Sequence, residues 1–77
     1  MNDGLLKRIE INPKIMFGKP VIKGTRLTVE IILEKLAYGA TEDELLKSYP
    51  FLEKDDIKAA FLYAAKYLSL EEFVSVT

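Results

Sequence analysis

At 77 residues, with 49% apolar and 30% charged side chains, the chain has the length and composition of one small globular domain, a size that buries only about 60% of the surface its unfolded form exposes. It contains no cysteine and no histidine, which excludes disulfides, thiolate nucleophiles and the commonest general base and metal ligand. The net charge of −1 conceals a basic front, with Lys7, Arg8, Lys14, Lys19, Lys23 and Arg26 against Asp3 and Glu10, joined to an acidic remainder.

Ile9-Glu10-Ile11 alternates as a short strand would, and Asn12-Pro13 closes it with a turn signal. Pro20-Val21-Ile22 is a second extended segment, its proline acceptable at a first or edge position. Lys23-Gly24 turns the chain. Residues 8–27 are therefore expected to form an extended β arm, too short to be stable by itself.

At Thr28 the period changes. Thr28 is a good N-cap, Val29, Ile32, Leu33, Leu36 and Ala37 recur at helical spacing, and Gly39 is a stop, so the first helix is expected from Val29 to Tyr38. Thr41-Glu42-Asp43-Glu44 reads as a capping box for a second helix from Glu42 to about Ser48, ended by Pro50. The third is expected from near Glu53 to about Leu68, with Ile57, Ala60, Phe61, Ala64 and Leu68 as its core stripe. Leu62, Tyr63 and Tyr67 lie beyond that stripe. A helix apolar around so much of its circumference calls for a second chain, and these three residues are the expected homodimer face. Ser69-Leu70-Glu71-Glu72 has the form of a cap for a last turn, which leaves residues 69–77 as a tail whose end alternates like a strand; Phe73, Val74 and Val76 are its candidate partner-binding residues. The chain is thus read as a single domain, mainly α, with a three-helix core over residues 28–68.

Three chemistries deserve comparison with this outline. Gly18 to Arg26 has the glycines and lysine of a phosphate loop, but a P-loop needs lysine and a hydroxyl residue directly after its last glycine, whereas Lys23 precedes Gly24. The acidic clusters Glu42-Asp43-Glu44 and Glu53, Asp55, Asp56 each fall in the first turn of an expected helix, where carboxylates stabilise the positive end of the dipole. With no histidine or metal-spaced carboxylate pair beside them, no enzyme, metal or cofactor is expected. The second and third helices, joined by Tyr49-Pro50-Phe51-Leu52, have the layout of a helix-turn-helix. The cations that could serve DNA are Lys7, Arg8, Lys14, Lys19, Lys23 and Arg26 on the arm, with Lys58 and Lys66 secondary; the DNA-binding candidates singled out are Lys19, Lys23, Arg26, Lys54 and Lys58, and the acids at the start of the third helix would repel phosphate. The competing reading is that these cations merely solvate the surface.

Asn12-Pro13, Gly18-Lys19-Pro20-Val21-Ile22-Lys23-Gly24-Thr25-Arg26, Leu36-Ala37-Tyr38-Gly39, Tyr49-Pro50 and Asp55-Asp56-Ile57-Lys58-Ala59-Ala60 occur in an order that resembles the domain-of-unknown-function family 433, small VapB-like proteins, over roughly residues 8–68. The resemblance implies a homeodomain-like three-helix fold with an extended N-terminal arm, a dimer, and the role of antitoxin in a type II toxin–antitoxin pair, with a PIN-like ribonuclease toxin as partner and operator DNA as a second target. The alternative is a protein–protein interaction module that does not bind DNA. There are two departures from the family pattern: Met16-Phe17 stands where small residues are usual before Gly18, and Glu53 stands where a threonine cap is usual. No signal-peptide pattern opens the chain and no apolar run approaches the roughly 20 residues that cross a bilayer, so the expected location is the cytoplasm, with no membrane partner.

Overall fold

The computed structural model describes the backbone of residues 3–75 and the side chains of residues 4–69. The elements run α1 (Asp3–Leu6), β1 (Ile9–Glu10), β2 (Val21–Ile22), α2 (Val29–Ala37), α3 (Glu42–Ser48) and α4 (Lys54–Ser75). The three expected helices are α2, α3 and α4, and the two expected strands pair antiparallel, Ile9 with Ile22 and Glu10 with Val21. The short helix α1, which is not among the elements expected from the sequence, packs on α4.

The arm folds back on itself. Gly24 takes φ 80° in a tight turn closed by Thr25 N–H to the Ile22 carbonyl, 3.0 Å, a backbone conformation glycine adopts without a Cβ penalty. Ile22 N–H then reaches the Leu27 carbonyl at 2.9 Å and Val29 N–H the Pro20 carbonyl at 3.0 Å, so β2 is held between β1 and the approach to α2. This places Val21 and Ile22 in the core, which they share with Leu27, Val29, Ile32, Leu45, Leu52, Ile57, Ala59 and Ala60. Between the strands, Asn12 Oδ1 accepts from Lys14 N–H at 2.9 Å. The chain then makes a left-handed turn in which Met16 (φ 49°), Phe17 (φ 59°) and Gly18 (φ 82°) all have positive φ. Two bonds of 3.1 Å close it, Gly18 N–H to Ile15 and Lys19 N–H to Met16. Each non-glycine residue in that region costs roughly 1–2 kcal/mol.

Helix ends follow their local chemistry. The Thr28 hydroxyl accepts from Ile31 N–H at 3.1 Å, and Thr41 and Glu44 complete both halves of the capping box at 3.1 and 2.9 Å. At the end of α2, Gly39 (φ 108°) donates to Leu36 and Ala40 donates to Lys35, the paired bonds of a Schellman stop. The start of α4 is built differently. Glu53 N–H donates to Asp56 Oδ2 at 2.9 Å, so the cap comes from the third residue inside the helix rather than from the position where a threonine would serve. Asp56 is buried, and its other oxygen accepts from Arg8 Nη1 at 3.0 Å. The same nitrogen reaches Glu53 Oε1 at 3.0 Å, and Nη2 lies 3.7 Å from Asp55. Arg8 also receives Lys23 N–H on its carbonyl at 2.8 Å. One arginine therefore fastens the arm, β2 and α4 together.

The sequence reading ends the third helix near Leu68 and gives the tail a strand-like form. The helix instead continues through Ser75. No glycine or proline interrupts the chain after Pro50, and a capping sequence inside an uninterrupted helical run does not by itself stop the run. The side chains of Phe73 and Val74, and Val76 altogether, lie outside the described residues. Phe61, expected in the core stripe, is half exposed, and Ala59 is buried in its stead.

These contacts set the expected stability of three variants. Asp56→Ala removes the cap and the partner of Arg8 at a buried site, and is expected to cost about 2–3 kcal/mol, read as a lower urea midpoint at unchanged slope; Lys19→Ala breaks only an exposed pair with Glu30 and is expected to shift stability by less than about 0.5 kcal/mol. Gly39→Ala meets no atom within 4 Å but must hold its left-handed conformation, so a loss of about 1 kcal/mol is expected in the same assay.

Candidate functional site

The five DNA-binding candidates separate into three places. Lys19 lies at one end of β2, where Nζ is 3.0 Å from Glu30 Oε1, both side chains about half exposed. Lys23 follows the other end of β2, about 13 Å along an extended chain. The three arm cations therefore form no single patch. Lys23 and Arg26 flank the Gly24 turn, are exposed, and make no ion pair among the described residues. Two adjoining surface hollows meet there. One, of about 610 Å³, includes Lys7, Arg8, Lys23, Phe51, Glu53 and Asp56; the other, of about 540 Å³, is formed by Gly24, Thr25, Arg26, Leu27, Tyr49 and Phe51. Phe51, half exposed on the turn between α3 and α4, belongs to both.

Lys54 and Lys58 are exposed and one turn apart on α4, so they share a face. The acids beside them are engaged. The Arg8 guanidinium is held above its ordinary pKa, first by its hydrogen bond to Asp56 and then by that to Glu53. Because the shift is upward, the arginine's own titration leaves the contact intact wherever the carboxylates are charged, up to the ordinary arginine value, and weakens it only above that. Arg8, one of the arm's cations in the sequence, is thus committed to α4 and offers little to a phosphate. Among the described residues, no three acidic side chains are arranged to hold a metal ion, and Glu53, Asp55 and Asp56 converge on a cation supplied by the chain itself. No described helix is long and apolar enough to cross a membrane.

The partner-binding candidates on α4 lie along a stripe that outlasts the domain. Ile57, Ala59 and Ala60 are buried, Leu62 and Tyr63 are half-buried, and Tyr67 and Leu68 are 55% and 61% exposed. Tyr63 packs on the core and stacks with Tyr67, ring centres 6.5 Å apart and planes 16° from parallel. With Pro20, Val29, Glu30, Ala64 and Leu68 these two tyrosines form a shallow, almost wholly apolar groove of about 320 Å³. Leu62 is not part of it. The sequence found the tyrosines by their helical position; it gave no sign of Pro20 and Val29, because the opposite wall comes from the arm and the start of α2.

Residues 9–64 match the family described as "Protein of unknown function (DUF433)". The chain is similar to the uncharacterized protein y4eO of Sinorhizobium fredii (strain NBRC 101917 / NGR234), with 34% identity over 53 residues; the match takes in 69% of this chain but only 24% of y4eO. Its fold is similar to the crystal structure of a DUF433 member protein from Anabaena variabilis ATCC 29413, with a TM-score of 0.78 and 30% identity over 91% of this chain and 69% of that one. A mainly helical domain carrying a short two-stranded hairpin, matched by sequence over most of its length and by structure over nearly all of it, belongs to the DUF433 family.

Proposed function

We propose that this protein is a non-enzymatic, dimeric interaction protein of the antitoxin type, which pairs with a second copy through α4 and neutralises a PIN-like ribonuclease by direct binding. The observation that carries this reading is the α4 stripe: buried against the core as far as Ala60, it continues as Tyr67 and Leu68 with half or more of their surface exposed. Apolar area arranged at helical spacing and left outside its own domain is what a helix-mediated protein contact requires. A chain with neither histidine nor cysteine also suits binding better than chemistry. The identity of the partner as a ribonuclease rests on the family resemblance.

Operator binding is the second reading. Lys54 and Lys58 favour it, exposed on one face of the helix that would enter the major groove, and so do Lys23 and Arg26 at the Gly24 turn. The staple of Arg8 on Glu53, Asp55 and Asp56 disfavours it, since α4 begins with more negative than positive side chains and the arm lies across them. On balance the fold is better suited to holding proteins than to reading bases.

Co-expression with a PIN-type nuclease encoded beside it tests the first reading. Co-purification and suppressed RNA cleavage are expected, and free nuclease activity at excess of this chain would overturn the antitoxin role. Gel-shift titration against the DNA upstream of its own coding region tests the second. If DNA is bound through α4, the Lys54→Ala, Lys58→Ala double variant is expected to reduce the salt slope by about 2; no shift even at low salt rules operator binding out.

A further inference from the structure

Phe17 is the most exposed of the large apolar residues described, at 94%. It is also one of two non-glycine residues in the left-handed region, and the turn that presents it is closed by backbone hydrogen bonds on both sides. A strained conformation persists only where surrounding structure holds it, and such positions concentrate at functional contacts. Here the bonds hold an aromatic ring in solvent. Three residues further on, Pro20 forms a wall of the apolar groove on α4, and Lys19 pairs with Glu30 of the same groove, so the turn that carries the ring borders the groove.

We propose that Phe17 is the knob of a two-fold homodimer contact, entering the groove formed by Pro20, Val29, Tyr63, Ala64, Tyr67 and Leu68 of the second copy. The proposal rests on the α4 pairing inferred above and adds the residue that specifies it. Size is the first argument: an enclosed apolar cavity of about 150 Å³ suffices for benzene, and the groove offers about 320 Å³. Symmetry is the second. When a projection and a recess share one side of a chain, a two-fold axis between copies fills both recesses at once, whereas a head-to-tail contact fills one and leaves the other open. Charge is the third: Lys19 and Glu30 sit together on the rim, so each copy presents both signs and a two-fold mate can match them. Finally, Phe17, Tyr67 and Leu68 expose roughly 400 Å² per copy, about half of the ~800 Å² that each partner contributes to a standard interface.

The full chain by itself tests the proposal, with no nuclease or DNA present. Sedimentation equilibrium across a concentration series is expected to show a wild-type dimer that Phe17→Gly weakens on the order of 30-fold, the scale of an aromatic hot spot. The melting temperature of the dilute monomer should be unchanged or higher, because glycine takes φ 59° without strain. Since the chain has no cysteine, a mixture of Phe17→Cys and Leu68→Cys chains can be oxidised without background. A disulfide-linked heterodimer is expected in excess of either homodimer. A wild-type dimer that Phe17→Gly leaves intact, with no mixed disulfide, overturns the knob while the α4 pairing stands; a wild-type chain monomeric at every concentration overturns both.

Discussion

The carboxylate of Asp56 does two jobs at once, and the rest of the architecture depends on both. One oxygen accepts the free backbone N–H of Glu53 and so starts α4; the other holds Arg8 and so fixes the arm. A buried carboxylate without partners would be costly, and here each oxygen has one, which makes the site stabilising only as long as arm and helix are both in place. The cap of α4 and the docking of the arm are therefore one cooperative event. Without the arm, the acids that open α4 would face one another unopposed; without α4, a pair of two-residue strands has too little to bury. In a domain this small, such a tie substitutes for the core area it lacks.

The tie also shapes what the surface can offer. It consumes a cation of the basic arm and places it over the helix that would serve as the recognition element, leaving Lys23, Arg26, Lys54 and Lys58 to act around a patch of carboxylates. Electrostatic attraction to a phosphate backbone is summed over a surface, not awarded residue by residue. The charge asymmetry visible in the sequence is thus largely cancelled when the basic front folds onto the acidic body. The apolar stripe of α4 undergoes no such cancellation, because Tyr67 and Leu68 keep half or more of their surface exposed.

What the sequence disclosed was local. Thr28, the Thr41 and Glu44 box and Gly39 each act through bonds to residues within five positions, and the Gly24 turn is closed locally by Thr25 on Ile22, so residue type and spacing carry the signal. The hairpin followed from two short apolar segments and the turn chemistry between them. The Arg8 staple spans up to 48 positions, and no pattern in a single sequence marks which of twelve acids one arginine will meet. Helix α4 was read too short because Ser69 and Glu72 have the form of a cap, while the absence of any breaker says more about continuation. The left-handed turn was hidden for another reason. Methionine and phenylalanine disfavour positive φ, so their identity points away from the conformation they adopt, and only the fold around them imposes it.

That last mismatch bears on how one family pattern serves different proteins. The resemblance places small residues before Gly18, a choice that relaxes a left-handed turn and leaves its tip bare. This chain puts a phenyl ring on the turn, accepting strain of roughly 1–2 kcal/mol per residue. A fully exposed ring recovers none of that within the monomer. Burying it against an apolar wall would return about 2–3 kcal/mol, more than the strain at its own position. Contact with an apolar partner would therefore offset the strain, and the turn that carries the ring borders the groove at which Tyr67 and Leu68 are open. Gly18, Gly24 and Gly39 fit this view as well: each supplies a positive-φ turn at no steric cost, whereas the side chains at Met16 and Phe17 take that conformation only at a cost.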